Sequence, residues 1–294
     1  MNALNDHRPL IWGLAYRITG SAQDADEISQ EALVRAIEHQ PAEPRPWLYK
    51  VAANLARDQL RRRRRTPYRG PWLPEPIADV ETAIARHEVA SMALLIAMER
   101  LPPTQRAVLV LRDVMELDTA ETAAMLGMTE ANVRVSHHRA RRTLGQVPAP
   151  QPGETGALLT ALLTAIAAGD VEQICSLLAE DSVSLADADG RVSAQGVPVR
   201  GPQRIARLLL GLATPLPGDR FVFISVNGLP ALQAERPGAS GRAPRQWVFQ
   251  VLPAPDGRIG QLLSFLHPDK LGHIPTLAPA SDEAAPPEAS RSRP

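Results

Sequence analysis

Apolar positions recur at helical spacing through the first half of this chain and at strand spacing through much of the second. Leu10, Ile11, Leu14, Ala15 and Ile18 fall three and four apart, which predicts a helix. Gly20 stops it and Ser21 can cap the next one. That second helix places Ala25, Ile28, Ala32, Leu33, Ala36 and Ile37 on its inner side. Its outer side carries Asp24, Glu27, Gln30 and Glu31. A proline-broken loop from Gln40 to Arg45 leads to a third helix with Pro46 in its first turn. This helix buries Leu48, Val51, Ala52, Leu55 and Leu60.

Residues 66–80 hold too many prolines for regular structure and read as a linker, on which Trp72 and Leu73 are placed to dock. Helical pattern resumes at Val80 and continues through Met92, Leu95, Ile96 and Met98, then restarts to carry Val108 to Leu111. A short helix from Thr119 stops at Gly127, and the Thr129 hydroxyl is placed to accept the Asn132 N–H at the head of a basic helix. Helix, glycine turn and capped basic helix form a helix-turn-helix pattern.

Beyond a second proline-rich linker, Val147 to Gly153, the character changes. Leu158, Leu159, Leu162, Leu163 and Ile166 mark a helix that ends at Gly169-Asp170, and another covers Val171 to Leu178. Strand-like runs follow at 182–185, 221–226, 246–251 and 259–265, with Asn227-Gly228 and Asp256-Gly257 as turn dipeptides. Helices followed by a run of strands predict an α+β domain. From about Pro279 the chain has the composition of a disordered tail. The expected organisation is a helical domain at 1–68, a linker at 69–86, a helix-turn-helix domain at 87–146, a linker at 147–154, an α+β domain at 155–275 and a tail at 276–294.

Composition sharpens this picture. A length of 294 residues suits two or three domains. With 44% apolar but only 4% aromatic residues, alanine and the aliphatic side chains must do most of the packing, which favours small helical units. The net charge is zero, but it is segregated. Nine basic residues and a single acid, Asp58, lie between Arg45 and Arg69. Arg134, Arg139, Arg141 and Arg142 lie between Ala131 and Gln146 with no acid among them. Two basic helical surfaces on one chain point to a protein that grips nucleic acid at two places. The lone Cys175 excludes an intramolecular disulfide and a cysteine-rich zinc site. Adjacent His137 and His138 point in different directions on a helix, so no metal is expected, and no cofactor. With no signal peptide and no apolar window of spanning length, the expected location is the cytoplasm, without a membrane.

Particular segments carry a family resemblance. Asp24-Ala25-Asp26-Glu27-Ile28-Ser29-Gln30-Glu31-Ala32 resembles the polymerase-binding helix of bacterial sigma factors. Trp47 to Asp58 is similar to their promoter-melting, −10-reading helix. Leu101 to Arg106, Ala120 to Gly127 and Asn132 to Arg142 resemble their −35-reading region 4. Only regions 2 and 4 are present, which implies the extracytoplasmic-function class. Gly70-Pro71-Trp72-Leu73-Pro74-Glu75-Pro76, Asn227 to Leu232 and His267-Pro268-Asp269-Lys270-Leu271 resemble the SigJ type, which carries a fused SnoaL-like domain, a cone of curved sheet and helices. The chain departs from that type at His267, where Asn is usual, and at Asp187-Ala188-Asp189-Gly190, where an Asp-Gly-Gly turn is usual.

The resemblance implies two all-α sigma domains followed by an α+β SnoaL-like cone. It implies a factor that directs core RNA polymerase to promoter DNA, its activity modulated by the C-terminal domain. Asp24, Glu27, Gln30 and Glu31 would face the beta-prime clamp helices, and region 4 the beta flap. Lys50 and Asn54, four apart on one helix face, would read an unstacked base with Arg57 beside them. Trp47 and Tyr49 are of a kind to stack on single-stranded bases, with the core as the competing place for Trp47. Arg61, Arg62 and Arg63, in the run to Arg65, would contact phosphates. Arg134, Ser136, His138 and Arg139 would lie near the major groove, and Arg141 and Arg142 on phosphates. Asp187, Asp189, Gly190 and His267 to Leu271 (His267, Pro268, Asp269, Lys270, Leu271) would form interdomain regulatory contacts. The C-terminal domain is expected to be a regulatory brace rather than an enzyme, although Asp187, Asp189 and His267 are the groups that an acid–base pocket would use. The free protein is expected to be monomeric. The competing reading is a plain helix-turn-helix regulator with a ligand-binding or enzymatic C-terminal domain, which would need neither the Asp24 to Ala32 nor the Trp47 to Asp58 segment.

Overall fold

The computed structural model describes residues 2–78, 91–145, 150–212 and 216–277. A first helical unit comprises α1 (Asn2–Asn5), α2 (Arg8–Thr19), α3 (Ala22–His39) and α4 (Pro44–Arg63). Gly20, at a φ of 70°, closes α2 by donating its N–H to the Tyr16 carbonyl. The Ser21 hydroxyl opens α3 by accepting the Asp24 N–H. Ile11, Leu14, Ala25, Ile28, Ala32, Leu48 and Ala52 fill the space between the helices. The many alanines let the helix backbones approach closely, which suits an aromatic-poor core. Ile37, expected on the inner side of α3, is instead 55% exposed, with Val34 at 44%. Only Ala36 is fully buried in that last stretch of α3, so the inner stripe there is a single residue wide.

The second helical unit holds α5 (Met92–Met98), α6 (Pro103–Leu109) with a π-helical turn at Val110–Val114, α7 (Thr119–Leu126) and α8 (Glu130–Leu144). Asp118 and Glu121 form a reciprocal capping box at the start of α7, and Gly127 ends it at a φ of 62°. Thr129 accepts the Asn132 N–H at 3.3 Å to open α8. Val133 and Ala140 are the side chains that α8 buries. The two units share one core, because Ile11, Leu14 and Leu48 pack in the same cluster as Leu95, Val108 and Leu126.

The C-terminal part runs through α9 (Pro152–Ala168), α10 (Val171–Leu177), β1 (Leu178–Asp187), β2 (Val199–Arg200), α11 (Pro202–Leu212), β3 (Arg220–Val226), β4 (Leu229–Glu235), β5 (Gln246–Pro253), β6 (Ile259–Phe265) and a 3-10 turn at Pro268–Leu271. The strands form a single sheet in the order β2-β1-β6-β5-β4-β3. β1 and β6 are parallel and all other neighbours antiparallel. One face of the sheet packs against Leu159 and Leu162 of α9, Ile174 of α10 and Ile205 of α11. The other face, with Val226, Val248, Leu263 and Phe265, packs against Leu73, Ala78 and Met92 from the first half of the chain.

This topology corrects the expected SnoaL-like cone. The sheet is open: its order ends in the two-residue strand β2 on one side and in β3 on the other, and among the described residues these two do not pair with each other. The helices and the first half of the chain cover its faces instead of a closed wall. Pattern reading also missed β4 and α11. Pro230 lies inside β4, opposite Ser225, where a proline argues against a strand. In α11 only Ile205 and Ala206 are fully buried, and Gly201 before it with Pro202 at its first position look like loop. The helix expected from Val80, the boundary at 86–87, residues 147–149 of the second linker and the tail from 278 lie outside the described residues.

Candidate nucleic-acid interface

The expected −10-reading face of α4 is covered. Asn54 sits one turn after Lys50, and its Nδ2 donates to the Lys50 carbonyl at 2.8 Å and to the Met125 carbonyl at 2.9 Å. Arg57 donates through Nη1 to the Leu126 carbonyl at 3.0 Å and through Nη2 to Asn54 Oδ1 at 2.7 Å. The amide that would read a base is thus engaged at both its donor and its acceptor. The carbonyls that it and Arg57 satisfy are two of the orphans at the C-terminus of α7, so α4 caps the first helix of the helix-turn-helix. Burial at this junction pulls the Arg57 pKa below its ordinary value. Lys50 stays exposed. Tyr49, considered for base stacking, is 6% exposed and belongs to the core, while half-buried Trp47 packs near the His39 ring at 5.5 Å.

The arginine run at the end of α4 divides. Arg61 pairs with Asp58 at 3.0 Å on the surface, and Arg62 is exposed. Arg63 turns inward: its Nη1 donates to the Thr19 carbonyl at 2.7 Å and its Nη2 lies 3.2 Å from Glu99. Its guanidinium carbon also lies 3.6 Å from the centre of the Trp72 ring. Burial lowers the Arg63 pKa, with Glu99 opposing that shift.

The expected −35-reading face of α8 is open. Arg134, His138, Arg139 and Arg142 are exposed, with Arg134 in a surface pair to Glu130 at 3.0 Å. Ser136 is half-buried, because its position on the helix turns toward the side of Val133 and Ala140. His137 and Arg141 both reach Asp113 on the preceding π-helical turn, at 2.6 and 2.9 Å. Burial works to raise the Asp113 pKa, and the hydrogen bonds from Arg141 and His137 outweigh it and leave it below the usual value.

On α3, Glu27, Gln30 and Glu31 are exposed beside Val34. Asp24 differs: it is half-buried and accepts from Gln59 of α4 at 2.7 Å. Burial raises its pKa, and the Gln59 hydrogen bond opposes that.

The expected interdomain residues converge on the linker. Asp187, at the end of β1, is fully buried. It accepts the Tyr68 hydroxyl, the Leu73 N–H at 2.7 Å and Lys270 Nζ at 2.6 Å. Lys270 also donates to the Leu73 carbonyl at 2.7 Å, and its Nζ lies 4.0 Å from the centre of the Trp72 ring. Burial drives the Lys270 pKa down, while Asp187 holds it up. Burial first, and the Asp187 carboxylate second, push the Tyr68 phenol well above its ordinary value, so it stays a neutral donor. Asp189 accepts the Arg69 N–H at 2.7 Å. Gly190 has a φ of 68°, a conformation that favours glycine, and a Cβ there would lie 3.1 Å from Arg69 Cδ. His267 stacks on Tyr68 at 6.4 Å with its Nδ1 buried and unpartnered. Leu271 is buried, whereas Pro268 and Asp269 are exposed, Asp269 in a surface pair with Arg191 at 3.3 Å.

Sequence reasoning assigned no role to several residues that join these parts. Glu75 accepts the Ser21 hydroxyl at 2.7 Å, the Ala22 N–H at 2.7 Å and the Gln23 N–H at 3.0 Å, and so caps α3 from the linker. Asn227, in the β3–β4 turn, donates to the Tyr16 hydroxyl at 2.8 Å and accepts the Ile77 N–H at 3.0 Å. The Tyr16 hydroxyl in turn donates to the Glu75 carbonyl at 2.8 Å. His273 lies 3.5 Å from Asp26 of α3. Glu75 and Asn227 fall within the linker and turn motifs, but their partners are 52 to 211 residues away, and no local signal names them.

Comparison with known proteins places the same segments. Sigma-70 region 2 matches residues 3–66, and sigma-70 region 4 matches residues 91–144. The extracytoplasmic-function sigma factor SigJ of Mycobacterium tuberculosis is 35% identical over 295 residues, covering 93% of this chain and 92% of that protein. SigG of the same organism is 28% identical over 292 residues, covering 85% and 76%. The crystal structure of M. tuberculosis SigJ superposes with a TM-score of 0.76 at 33% identity, covering 93% of this chain and 97% of that one. Likeness of the C-terminal part to a SnoaL-like family protein from Agrobacterium tumefaciens, at a TM-score of 0.28, carries no assignment. With both regions matched in order and a relative aligned over nearly its whole length, this chain belongs to the extracytoplasmic-function RNA polymerase sigma factors, which join core polymerase and direct it to promoter DNA.

Proposed function

We propose that the arrangement described here is a closed state of the sigma factor, and that the C-terminal unit modulates initiation by holding it closed. The observation that carries this reading is the engagement of Asn54 and Arg57 by the Met125 and Leu126 carbonyls. A base cannot be read by an amide already satisfied on both sides, so reading the −10 element requires regions 2 and 4 to part.

In the open state Lys50, Asn54 and Arg57 serve the −10 element, with Arg61, Arg62 and Arg63 on phosphates. Arg134, His138, Arg139 and Arg142 serve the −35 element, with Ser136 at the margin of that face. Glu27, Gln30 and Glu31, with Val34 beside them, meet the beta-prime clamp helices, and region 4 meets the beta flap. Asp24 contributes by holding α3 on α4. Asp187, Asp189, Gly190, His267, Lys270 and Leu271 form the brace, and Pro268 and Asp269 shape its turn. The free factor works as a monomer in the cytoplasm; among the described residues no helix is long and apolar enough to cross a membrane. The units act as 1–68, 87–146 and 155–275, with linkers between and a tail beyond.

The test labels exposed Glu38 and Thr143, after replacement by cysteine in a Cys175→Ser background, with a fluorescent donor and acceptor. Energy transfer is expected to be high in the free protein and to fall when core polymerase and promoter DNA are added. Transfer that stays high during active run-off transcription would sink the closed-state reading.

A further inference from the structure

A cavity of about 320 Å³ lies where region 2, the linker and region 4 meet. Arg63 and Arg64 line it from the end of α4, Tyr68 and Trp72 from the linker, and Glu99 and Arg106 from region 4. Three guanidinium groups and one carboxylate thus line it, while Asp24 and Glu75 act on Arg63 from outside the lining. Glu99 is shared between Arg63 and Arg106, and the Arg64 guanidinium donates to the Leu101 carbonyl. Arg106 is 1% exposed, and its Nη2 is buried with no hydrogen-bond partner. That nitrogen lies beside the Trp72 ring: the two stand 3.0 and 3.2 Å from where a Cβ on Gly20 would sit. A buried guanidinium N–H is costly to leave unpaired, and a wall of guanidinium groups is the chemistry that recognises a phosphoryl group.

We propose that this cavity is a binding site for a small di- or polyphosphate anion, held by Arg64, Arg106 and Arg63. The phosphoryl groups take the charge on the three guanidinium groups that Glu99 does not neutralise within the lining. The walls come from three separate parts of the chain in contact with one another, so the occupant is a compact soluble anion rather than the backbone of a nucleic acid. Occupancy would tie region 2 to region 4 and so favour the closed state; that consequence rests on the reading above, whereas the binding itself does not.

Inorganic pyrophosphate is the probe, titrated calorimetrically into the full chain at constant ionic strength. Saturable binding at one site is expected. Arg64→Gln removes one charge-assisted contact at an exposed position and should weaken binding about tenfold. Glu99→Gln keeps the shape of the side chain but removes the competing carboxylate, and should tighten binding. Arg142→Gln, on the exposed face of α8, should leave it unchanged. The proposal fails if pyrophosphate does not bind saturably, if Arg142→Gln weakens binding as much as Arg64→Gln, or if Glu99→Gln does not tighten it. A single-stranded thymidine oligonucleotide that displaces pyrophosphate completely would assign these arginines to nucleic acid and also overturn it.

Discussion

Removing one oxygen, in Tyr68→Phe, probes the brace with little disturbance elsewhere. The phenol donates to a fully buried carboxylate, and the substitution leaves the Asp187–Lys270 pair and the Leu73 N–H contact in place. A hydrogen bond to a charged acceptor contributes about 1.5–3 kcal/mol. The linker–sheet contact exists only in the docked state, so that amount comes off the docking equilibrium. It corresponds to roughly a tenfold to hundredfold increase in the undocked population. The Leu73 amide reports this directly, because its proton is donated to Asp187 only while the linker is docked. Its hydrogen-exchange protection should fall by the same factor in Tyr68→Phe, with amides in the centre of β5 unchanged. Alkaline pH offers a second reading. The docked phenol has a raised pKa, so its contribution is fully present below the free value near 10 and is lost as pH rises beyond it. The gap between wild type and Tyr68→Phe should therefore close above about pH 10. Equal Leu73 protection in the two proteins at neutral pH would refute the claim that this bond helps hold the linker.

Two further predictions concern the sigma regions. Glu75→Gln weakens the cap that the linker places on α3, and should lower unfolding free energy in urea by about 1–2 kcal/mol, as loss of a helix cap does; an unchanged midpoint would show that the contact is passive. Asp113 has a depressed pKa, so the unfolded state binds its proton more readily and the stabilisation is present above the ordinary value of 3.8 and lost as pH falls through the folded value. Wild type should therefore lose its thermal-stability advantage over Asp113→Asn only under acid conditions below that value, and an advantage that fades between pH 8 and 6 would point to another group.

The helices of regions 2 and 4 were legible because periodicity and punctuation agreed. Gly20, Ser21, Gly127 and Thr129 do at the helix ends what their chemistry suggests. The exposure of Arg134, His138 and Arg139 follows from the same period. Legibility failed where partners are remote. Nothing around Asn54 announces that a carbonyl 71 residues away engages its amide. Nothing around Arg63 shows that it turns inward, away from the neighbouring Arg61 and Arg62. In the C-terminal part, Pro230 hid a strand, and resemblance to a cone hid an open sheet whose second face is completed by the first half of the chain. Composition marked residues 66–78 as irregular, which they are; it could not reveal that 73–78 are buried and that the segment is held from both sides.

That two-sided hold makes the segment from Tyr68 to Ile77 a ruler. Tyr68, Leu73 and Ile77 are fastened to Asp187 and Asn227 on the sheet, while Glu75 between them is fastened to the head of α3. Substitutions can be absorbed one bond at a time. A single inserted or deleted residue displaces everything beyond it by about 3.4 Å and turns alternate side chains to the wrong partner. A chain that keeps these fastenings must therefore keep the length of this segment as strictly as the residues that make them.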